Sequence, residues 1–271
     1  MTTRICIANP KGGVGKTTVA LNLAVGMAER GHRTLLVDMD PDGGIGLALA
    51  KGDAELVGLA DVLAGVISPD DAVLQTKLPT LSLLPRGRLD PNDVCEFEEA
   101  LTRTGAFGGL LDAVDRELDL VILDTPSGLG RVPRAALAAA DFVLIPLQAE
   151  PLALRTLPQL LRVIDHVRKS ENPRLQLLGI APTMVDVKKE PSRSVLETLW
   201  TDFGGVLDTV FPRADVFSVA SEKGLPAAFL GGQRAPEVRR IDMLAAEVES
   251  LMDQLSLSKE KKNVQPDRSL L

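Results

Sequence analysis

One glycine-rich stretch near the start of the sequence contains two lysines within a single loop. It reads NPKGGVGKTT over residues 9–18, and its lysines are Lys11 and Lys16. In a phosphate-binding loop of the form G-x-x-x-x-G-K-[ST], backbone amides surround the phosphates, the lysine reaches their terminal oxygens and the hydroxyl binds Mg²⁺. Lys16 and Thr17 occupy those positions, whereas Pro10 replaces the first glycine and has no N–H to donate. The stretch therefore predicts a nucleotide site that needs Lys16 but leaves Lys11 without a role.

Acidic residues follow two of the apolar segments and fall where a nucleotide's terminal phosphates would lie. Asp38 and Asp40 come after the run TLLV in the stretch DMDPDGG, and Asp124 comes directly after LVIL. A carboxylate in such a position can orient a water for attack on the γ-phosphate or bind Mg²⁺. Taken alone, Asp-x-Asp is more often a turn or a helix cap, so the proximity of the phosphate loop decides the interpretation.

The segments that position these residues alternate between short apolar runs and longer stretches of helical period. The predicted strands are Arg4–Ala8, Thr34–Val37, Leu81–Leu84, Leu120–Leu123, Phe142–Ile145, Leu175–Ile180 and Val206–Phe211. The predicted helices are Lys16–Arg30, Pro91–Arg103, Gly109–Glu117, Val132–Ala139, Leu152–Lys169, Pro191–Phe203 and Ala235–Leu255. Strand followed by helix, repeated, predicts an α/β fold with a doubly wound, mostly parallel sheet and helices on both faces. Ligands bind at the carboxyl ends of such strands, which is where the loop and the acids fall.

The chain is expected to form one domain over residues 1–255, because no linker composition and no internal repeat interrupts the pattern. Residues 256–271 read SLSKEKKNVQPDRSLL, which is polar and lacks a period. We therefore predict a flexible polar tail there.

Composition excludes several classes of function. A net charge of −7 and a pI of about 5.0 exclude a global cationic field, so binding to DNA or anionic lipid would need a local patch. Cys6 and Cys95 are too few for a disulfide scaffold or a C-x-x-C metal cluster, and we expect both to be small buried residues. Neither a signal peptide nor an apolar run of about 18 residues is present, which predicts a cytoplasmic protein.

Five stretches, taken together and in this order, resemble one known family. They are KGGVGKTT, VDMDPDGG, LVILDTPSG, LIPLQAE and LLGIAPTM. From residue 3 to about residue 250 the sequence is similar to the ParA/MinD family of P-loop ATPases with a deviant Walker A motif, and within it to the short, Soj-like ParA partition ATPases. Two departures lie inside these motifs: Asp42 stands where the family commonly has Gln, and Ser127 stands where it has a second proline.

The resemblance gives the spare lysine a role. It implies that ATP and Mg²⁺ are the ligands, and that Lys11 crosses the interface of an ATP-dependent homodimer to touch phosphates bound by the other subunit. Contacts between lysine and phosphate are strong at a dry interface, so ATP would link the subunits. By position in the motifs, Asp40 matches the residue needed for hydrolysis and Asp124 the Walker B acid. The resemblance also implies that hydrolysis is slow and stimulated by a partner.

The predicted site divides into catalytic, metal-binding and nucleotide-binding residues. The catalytic residues are Lys11, Lys16, Asp40 and Asp124, and Mg²⁺ is assigned to Thr17, Asp40 and Asp124. The nucleotide is assigned to Lys11, Gly12, Gly13, Val14, Gly15, Lys16, Thr17, Thr18, Thr183, Met184 and Pro212. The last three are included because the resemblance places them beside the base.

The resemblance further implies non-specific DNA binding in the ATP state and a nucleoid-associated protein. Such a protein positions a chromosome, plasmid or protein cargo with a ParB-like or cargo-adaptor partner that carries a basic segment. The cations assigned to DNA are Lys188, Lys189, Arg193, Arg213, Lys223 and Arg234. Aromatic residues make up only 3% of the chain, so phosphate contacts rather than base stacking are expected. The stretch VASEKGLP departs from the family pattern E-A-P-S-x-G-K in a region that contacts DNA, and scattered solvated charges are the alternative.

Two other functions stay open. One is a spatial regulator acting at a membrane or pole, similar to MinD or FlhG. Those relatives end in a basic amphipathic helix, whereas the end of this sequence has Pro266 and mixed charge, so membrane binding is not expected. The other is a metabolic ATPase of the same fold, such as an amidotransferring synthetase. Such an enzyme usually carries an extra domain, for which this chain has no room.

Overall fold

The computed structural model describes residues 2–48, 56–103, 105–114, 117–230 and 235–264. Its strands are β1 (Thr3–Ile7), β2 (Thr34–Asp38), β3 (Leu74–Gln75), β4 (Leu81–Leu84), β5 (Leu120–Asp124), β6 (Phe142–Gln148) and β7 (Gln176–Thr183). They form one seven-stranded sheet in the order β3-β4-β2-β5-β1-β6-β7. Neighbouring strands are parallel except for the pair β3 and β4. The mostly parallel sheet predicted from the sequence is confirmed.

Helices cover both faces of this sheet. They are α1 (Lys16–Glu29), α2 (Gly44–Ala48), α3 (Leu59–Leu63), α4 (Pro69–Ala72), α5 (Val94–Thr102), α6 (Ala106–Val114), α7 (Arg131–Ala139), α8 (Pro151–Ser170), α9 (Glu190–Asp202), α10 (Asp215–Glu222) and α11 (Pro236–Val264). Short 3-10 turns lie at Pro91–Asp93 and Ala227–Phe229. Helices α3 to α9 pack against one face, and α1, α10 and α11 against the other.

The central strands are apolar on both faces because each face has its own core. In β1, Ile5 and Ile7 belong to the core under α1 and α11, whereas Cys6 belongs to the core under α7 and α8. The same alternation occurs in β5, where Ile122 and Leu123 face opposite cores. This is why these strands read as continuous apolar runs rather than as alternating ones.

The pairing of β5 with β1 and β2 brings the predicted site residues together. Ile7 at the end of β1 pairs with Asp124 at the end of β5, and Asp38 at the end of β2 pairs with Asp124 from the other side. The glycine-rich loop that follows Ile7 is therefore held beside both acids.

The structure differs from the sequence prediction over Val206–Phe211, which is not a strand. This segment forms only isolated bridges, between Ile180 and Val206 and between Val185 and Pro212. Gly205, with φ of 75°, precedes it, and Pro212, which has no N–H, follows it, so a continuous ladder is interrupted at both ends. The segment covers the edge of β7 by intermittent hydrogen bonds instead.

The last helix is longer than predicted. The sequence predicts its end at Leu255, whereas α11 continues to Val264 and includes part of the predicted tail. The added residues are mostly Leu, Ser, Lys and Glu, which tolerate a helix, and the first proline after them is Pro266. Residues 265–271 lie outside the described ranges, so a flexible tail stays a prediction for them, and the domain limit at residue 255 stays a proposal.

The two cysteines differ in exposure. Cys6 is buried as expected, but Cys95 is exposed, because it lies on the outer side of α5 while Phe97 and Leu101 face the core. Across the part of the chain that the structure describes, no helix combines the length and the apolar composition needed to cross a membrane.

Candidate nucleotide site

The phosphate loop joins β1 to α1 and is shaped by two glycines in the left-handed region. Gly13 and Gly15 have φ of 70° and 91°, where a side chain would be strained. Gly15 is the N-cap of α1, and no side chain caps the helix there. The first amides of α1 are therefore available to an anion, and the helix dipole adds positive potential at the same point.

Lys16 lies inside this loop and is almost fully buried, at 6% exposure. Its Nζ donates hydrogen bonds to Ser127 Oγ at 2.9 Å and to the Lys11 carbonyl at 3.3 Å. Burial lowers the pKa of Lys16, and the negative charges of Asp124 and Asp40 oppose that shift. The ammonium is thus held in the concave side of the loop by weak partners that a phosphate can replace.

Lys11, on the same loop, has different partners. Its Nζ contacts Gln148 Oε1 and Glu150 Oε2, both at 3.0 Å, and its side chain is 26% exposed. The Lys11 amide donates to Asn9 Oδ1 at 2.9 Å, and Asn9 Nδ2 donates to the Pro146 carbonyl at 2.7 Å. This places the second lysine beside the end of β6, away from the cradle that holds Lys16.

Two buried acids lie behind the loop at the ends of β2 and β5. Asp38 and Asp124 are fully buried. Asp38 accepts hydrogen bonds from the amides of Asp40 at 3.1 Å and Ile45 at 2.9 Å. Neither carboxylate oxygen of Asp124 has a hydrogen-bond partner of ordinary geometry among the described residues, although the Thr17 hydroxyl lies close enough to lower the pKa of that carboxyl. Burial raises the pKa of Asp124 well above its ordinary value, and the neighbouring Asp38 raises it further.

Asp40 begins the turn that follows β2 and is partly buried. Its Oδ1 accepts the Asp42 amide at 3.0 Å, and its carbonyl accepts the Gly43 amide at 2.8 Å. Burial raises the pKa of Asp40, while the Asp42 amide and the positive charges of Lys16 and Arg86 oppose the rise. The carboxylate is therefore oriented by its own turn and lies within the electrostatic reach of Lys16.

The residues predicted to bind magnesium supply few donors of their own. Within the described ranges, no group of three or more His, Cys, Asp or Glu side chains could hold a metal on its own. Mg²⁺ that keeps waters and phosphate oxygens needs only one or two protein ligands. Asp124 supplies a fully buried carboxylate, and Thr17 supplies a hydroxyl close to it. These donors fit a magnesium ion that arrives with phosphates.

A cavity of about 430 Å³ begins where the phosphate loop ends. Six of the predicted nucleotide residues line it together: Val14, Gly15, Thr18, Thr183, Met184 and Pro212. The remaining lining residues are Val19, Phe211, Arg213, Ala214, Phe217, Ser218 and Ser221. Thr183 Oγ1 donates to the Val14 carbonyl at 2.8 Å, which ties β7 to the loop. The cavity thus has a mixed apolar and polar lining next to the cradle, as a nucleoside requires.

The cations assigned to DNA lie in three separate places among the described residues. Lys188, Lys189 and Arg193 lie together on the loop before α9 and in its first turn. Arg213 lines the cavity described above, with Nη2 4.0 Å from Glu150 Oε1. Lys223 ends α10 on the opposite helix layer. Arg234 lies outside the described residues.

Sequence reasoning missed some of the residues at this edge. Arg86, which follows β4, donates from Nη1 to the Pro41 carbonyl at 2.6 Å. Gln148, the last residue of β6, and Glu150, two residues later, contact Lys11. Phe217 packs edge-to-face on Phe211 with ring centroids 6.1 Å apart. Arg86, Gln148 and Glu150 share a signal that was available, because each lies at or just after the end of a strand.

A family model described as an AAA domain matches residues 2–177. The chromosome partitioning protein ParA of Caulobacter vibrioides is 38% identical over 226 residues, which cover 82% of this chain and 85% of that protein. The cell division ATPase MinD of Pyrococcus furiosus has a TM-score of 0.75 at 25% identity, covering 93% of this chain and 100% of that one. Cobyrinic acid a,c-diamide synthase of Mycobacterium smegmatis, with bound ATP analog and magnesium, has a TM-score of 0.71 at 35% identity, covering 82% and 92%.

The strand, glycine-rich loop and helix, with buried acids after the neighbouring strands, define a P-loop nucleotide-binding protein. The chain belongs to the ParA/MinD family of P-loop ATPases. The family resemblance in the sequence motifs is confirmed.

Proposed function

We propose that this protein is an ATPase that dimerises around ATP, binds DNA non-specifically in that state and positions a chromosome, plasmid or protein cargo. The observation that carries the proposal is the different use of the two lysines in one loop. Lys16 is buried in the phosphate cradle, whereas Lys11 is partly exposed and paired with Glu150. A lysine paired in this way can exchange its carboxylate for a phosphate presented by a second subunit.

ATP binding uses groups that the fold holds in place beforehand. The amides from Gly12 to Thr18 surround the phosphates, and Lys16 exchanges Ser127 for phosphate oxygens. The base enters the cavity beside Thr183 and Pro212. Because the loop glycines already have their left-handed conformation, little ordering of the loop accompanies binding.

Hydrolysis requires a water in line with the γ-phosphate. The Asp40 carboxylate accepts a hydrogen bond from that water and orients it, while Lys16 stabilises charge on the phosphate oxygens. Bound Mg²⁺ would neutralise phosphate charge, and Thr17 and Asp124 are the side chains available to hold it. Loss of the γ-phosphate removes part of the contact with Lys11 of the second subunit, so the dimer weakens after each turnover.

DNA binding by an acidic protein must use a local group of cations, and dimerisation doubles any such group. Lys188, Lys189 and Arg193 form the most compact group among the assigned residues. Their exposure suits contacts with phosphates, which depend on charge rather than sequence. On this proposal the protein lies on the nucleoid in its ATP state, and a ParB-like or cargo-adaptor protein with a basic segment stimulates its slow hydrolysis.

Two measurements on one sample test the proposal. Size-exclusion chromatography with light scattering, with a non-hydrolysable ATP analogue or with ADP, is expected to give a dimer only with the analogue. A mobility-shift assay with duplexes of unrelated sequence is expected to show binding by that dimer alone, falling steeply as salt rises. A monomer with the analogue, or an ATP-state dimer that leaves DNA unshifted at low salt, contradicts the proposal.

A metabolic ATPase is the second candidate, because the Mycobacterium smegmatis protein named as a diamide synthase is 35% identical to this chain. The discriminating observation is what ATP turnover requires. A positioning ATPase hydrolyses ATP without a small-molecule acceptor, and DNA or an adaptor changes its rate. Turnover that depends on a carboxylic acid and an amide donor, and ignores DNA, would select the synthase function.

A further inference from the structure

Arg86 reaches the loop that carries Asp40 from outside that loop. Its Nη1 donates to the Pro41 carbonyl at 2.6 Å, and its Nε donates to the Gly87 carbonyl at 3.2 Å. The other hydrogen bonds of this loop run within the segment or to Asp38 and the Asp124 carbonyl beneath it. Arg86 thus joins the tip of the loop, next to Asp40, to the segment after β4.

The segment that carries Arg86 is rigidly packed. The Pro85 and Arg86 carbonyls accept the amides of Leu59 and Ala60 at 2.9 and 2.8 Å, at the start of α3. A Cβ on Gly58 would lie 2.2 Å from the Pro85 carbonyl oxygen, so the two backbones touch. Because this packing fixes the segment after β4, Arg86 limits where the Pro41 carbonyl can move.

The buried acid Asp61 also holds the segment after β4 in place. Asp61, only 5% exposed, accepts the amides of Gly58 and Arg88 at 2.9 and 3.1 Å and the Arg88 Nε at 2.8 Å. Arg88 therefore stabilises the segment after β4 itself, whereas Arg86, two residues earlier, is directed to the Asp40 loop.

We propose that Arg86 is a positioning residue for hydrolysis, which fixes the loop bearing Asp40 through its hydrogen bond to the Pro41 carbonyl. The inference rests on the proposed ATPase function. Without this bond the loop keeps its attachment at Asp38 but loses the contact nearest its tip. Asp40 then samples orientations that do not direct a water at the γ-phosphate, and turnover falls while the phosphate cradle is untouched.

The test compares Arg86→Ala and Arg86→Lys with the control Arg103→Ala. Arg103 is an exposed arginine at the end of α5, and its side chain makes no hydrogen bond or ion pair with other described residues. Hydrogen exchange of a peptide covering residues 39–46, in nucleotide-free protein, reports the loop directly. Steady-state hydrolysis gives kcat and KM for ATP separately.

We expect Arg86→Ala to speed exchange in residues 39–46 and to lower kcat by about tenfold, with KM for ATP changed less than about twofold. Arg86→Lys retains one donor on a flexible stem, so it is expected to recover part of the exchange protection and of kcat. Arg103→Ala should resemble the wild type in both measurements.

Unchanged exchange in Arg86→Ala, or faster exchange with unchanged kcat, overturns the proposal. So does an equal loss of ATP and ADP affinity, because that would show damage to the cradle rather than to the loop. If the wild type hydrolyses no ATP, the proposed function fails instead, and the exchange measurement alone still decides whether Arg86 holds the loop.

Discussion

Charged side chains are buried at the carboxyl edge of the sheet but exposed in the loop before α9. At the edge, Asp38 and Asp124 are fully buried and Lys16 is nearly so. In the loop, Lys188 is exposed and the Lys189 side chain is 69% exposed, 3.6 Å from Asp186 in the same loop. The edge holds charges that solvent cannot stabilise, whereas the loop holds charges that solvent already stabilises.

This difference predicts how strongly each region responds to change. A buried charge without a full set of partners destabilises the free protein, and a ligand that supplies the partner removes that cost. Asp124, which is fully buried beside Asp38 and whose pKa burial raises well above its ordinary value, is the clearest example. A solvated cation contributes only when a polyanion approaches, and salt weakens that contribution. Substitutions at the edge should therefore have large effects, and those in the loop modest, salt-dependent ones.

The largest effect is expected from Lys16→Ala. The substitution removes the ammonium from the cradle, and with it a positive charge near Asp124 and Asp40. We expect ATP affinity to fall by about 10³-fold, equivalent to losing two charge-assisted hydrogen bonds. Isothermal titration calorimetry measures this, with Lys169→Ala as the control for an exposed lysine paired to Asp165. Affinity within about threefold of the wild type would show that the cradle works through its amides alone.

Asp40→Ala is expected to affect turnover rather than binding. Loss of the carboxylate that orients water should lower kcat by roughly 10²-fold, while the cradle and the ATP-state dimer are retained. Phosphate release under saturating ATP gives the rate, and Asp42→Ala, which changes the exposed neighbour but keeps its amide bond to Asp40, is the matched control. Equal loss in both variants would assign the effect to the turn and not to the carboxylate.

Lys11→Ala separates the two lysines. ATP affinity of the monomer should stay within about twofold, because Lys11 is directed to Gln148 and Glu150 in its own subunit. The ATP-dependent dimer should weaken by roughly 30-fold, because each interface loses one lysine–phosphate contact per site. Analytical ultracentrifugation with a non-hydrolysable analogue measures it, with the exposed Arg155→Ala on α8 as control. A dimer of normal strength would leave Lys11 no role beyond its pairing with Glu150.

The edge was largely predictable from the sequence, and the reasons are physical. Parallel strands bring their carboxyl ends together, so Asp38, Asp124 and the loop after β1 had to meet once the strands were recognised. The loop glycines predicted a phosphate-binding loop, and two of them, Gly13 and Gly15, have the left-handed conformation that glycine tolerates. Arg86 was missed although it lies just after β4, whose carboxyl end is beside that of β2 in the parallel sheet.

The distribution of surface cations was less predictable. Sequence distance does not say on which helix layer an exposed residue lies, so Lys223 was grouped with residues on the opposite face of the sheet. Arg213 follows Pro212, and the irregular path of that segment places it among the residues that line the cavity beside the phosphate loop, where its side chain is 56% exposed. The strand predicted over Val206–Phe211 failed for a related reason, because glycine and proline at its ends prevent continuous pairing.

The smallest effect is expected in the exposed loop, from Lys188→Glu combined with Lys189→Glu. The ATP-state dimer should bind a duplex of arbitrary sequence about tenfold more weakly near physiological salt, and the slope of log affinity against log salt should fall by about two. Fluorescence anisotropy over a range of salt concentrations measures both quantities. The loop ion pair with Asp186 is weak at 3.6 Å and exposed, so little folding stability should be lost.

The control for that variant is Arg168→Glu combined with Lys169→Glu, which changes the net charge by the same amount at the end of α8. Both of these residues are exposed and pair with Asp165, as Lys189 pairs more weakly with Asp186, so the two sites are similar in exposure and each lies beside an acid. Weakening at residues 188 and 189 alone would locate the DNA contact in the loop. Equal weakening in both variants would mean that binding responds to total charge. No weakening in either variant would show that this loop does not contact DNA.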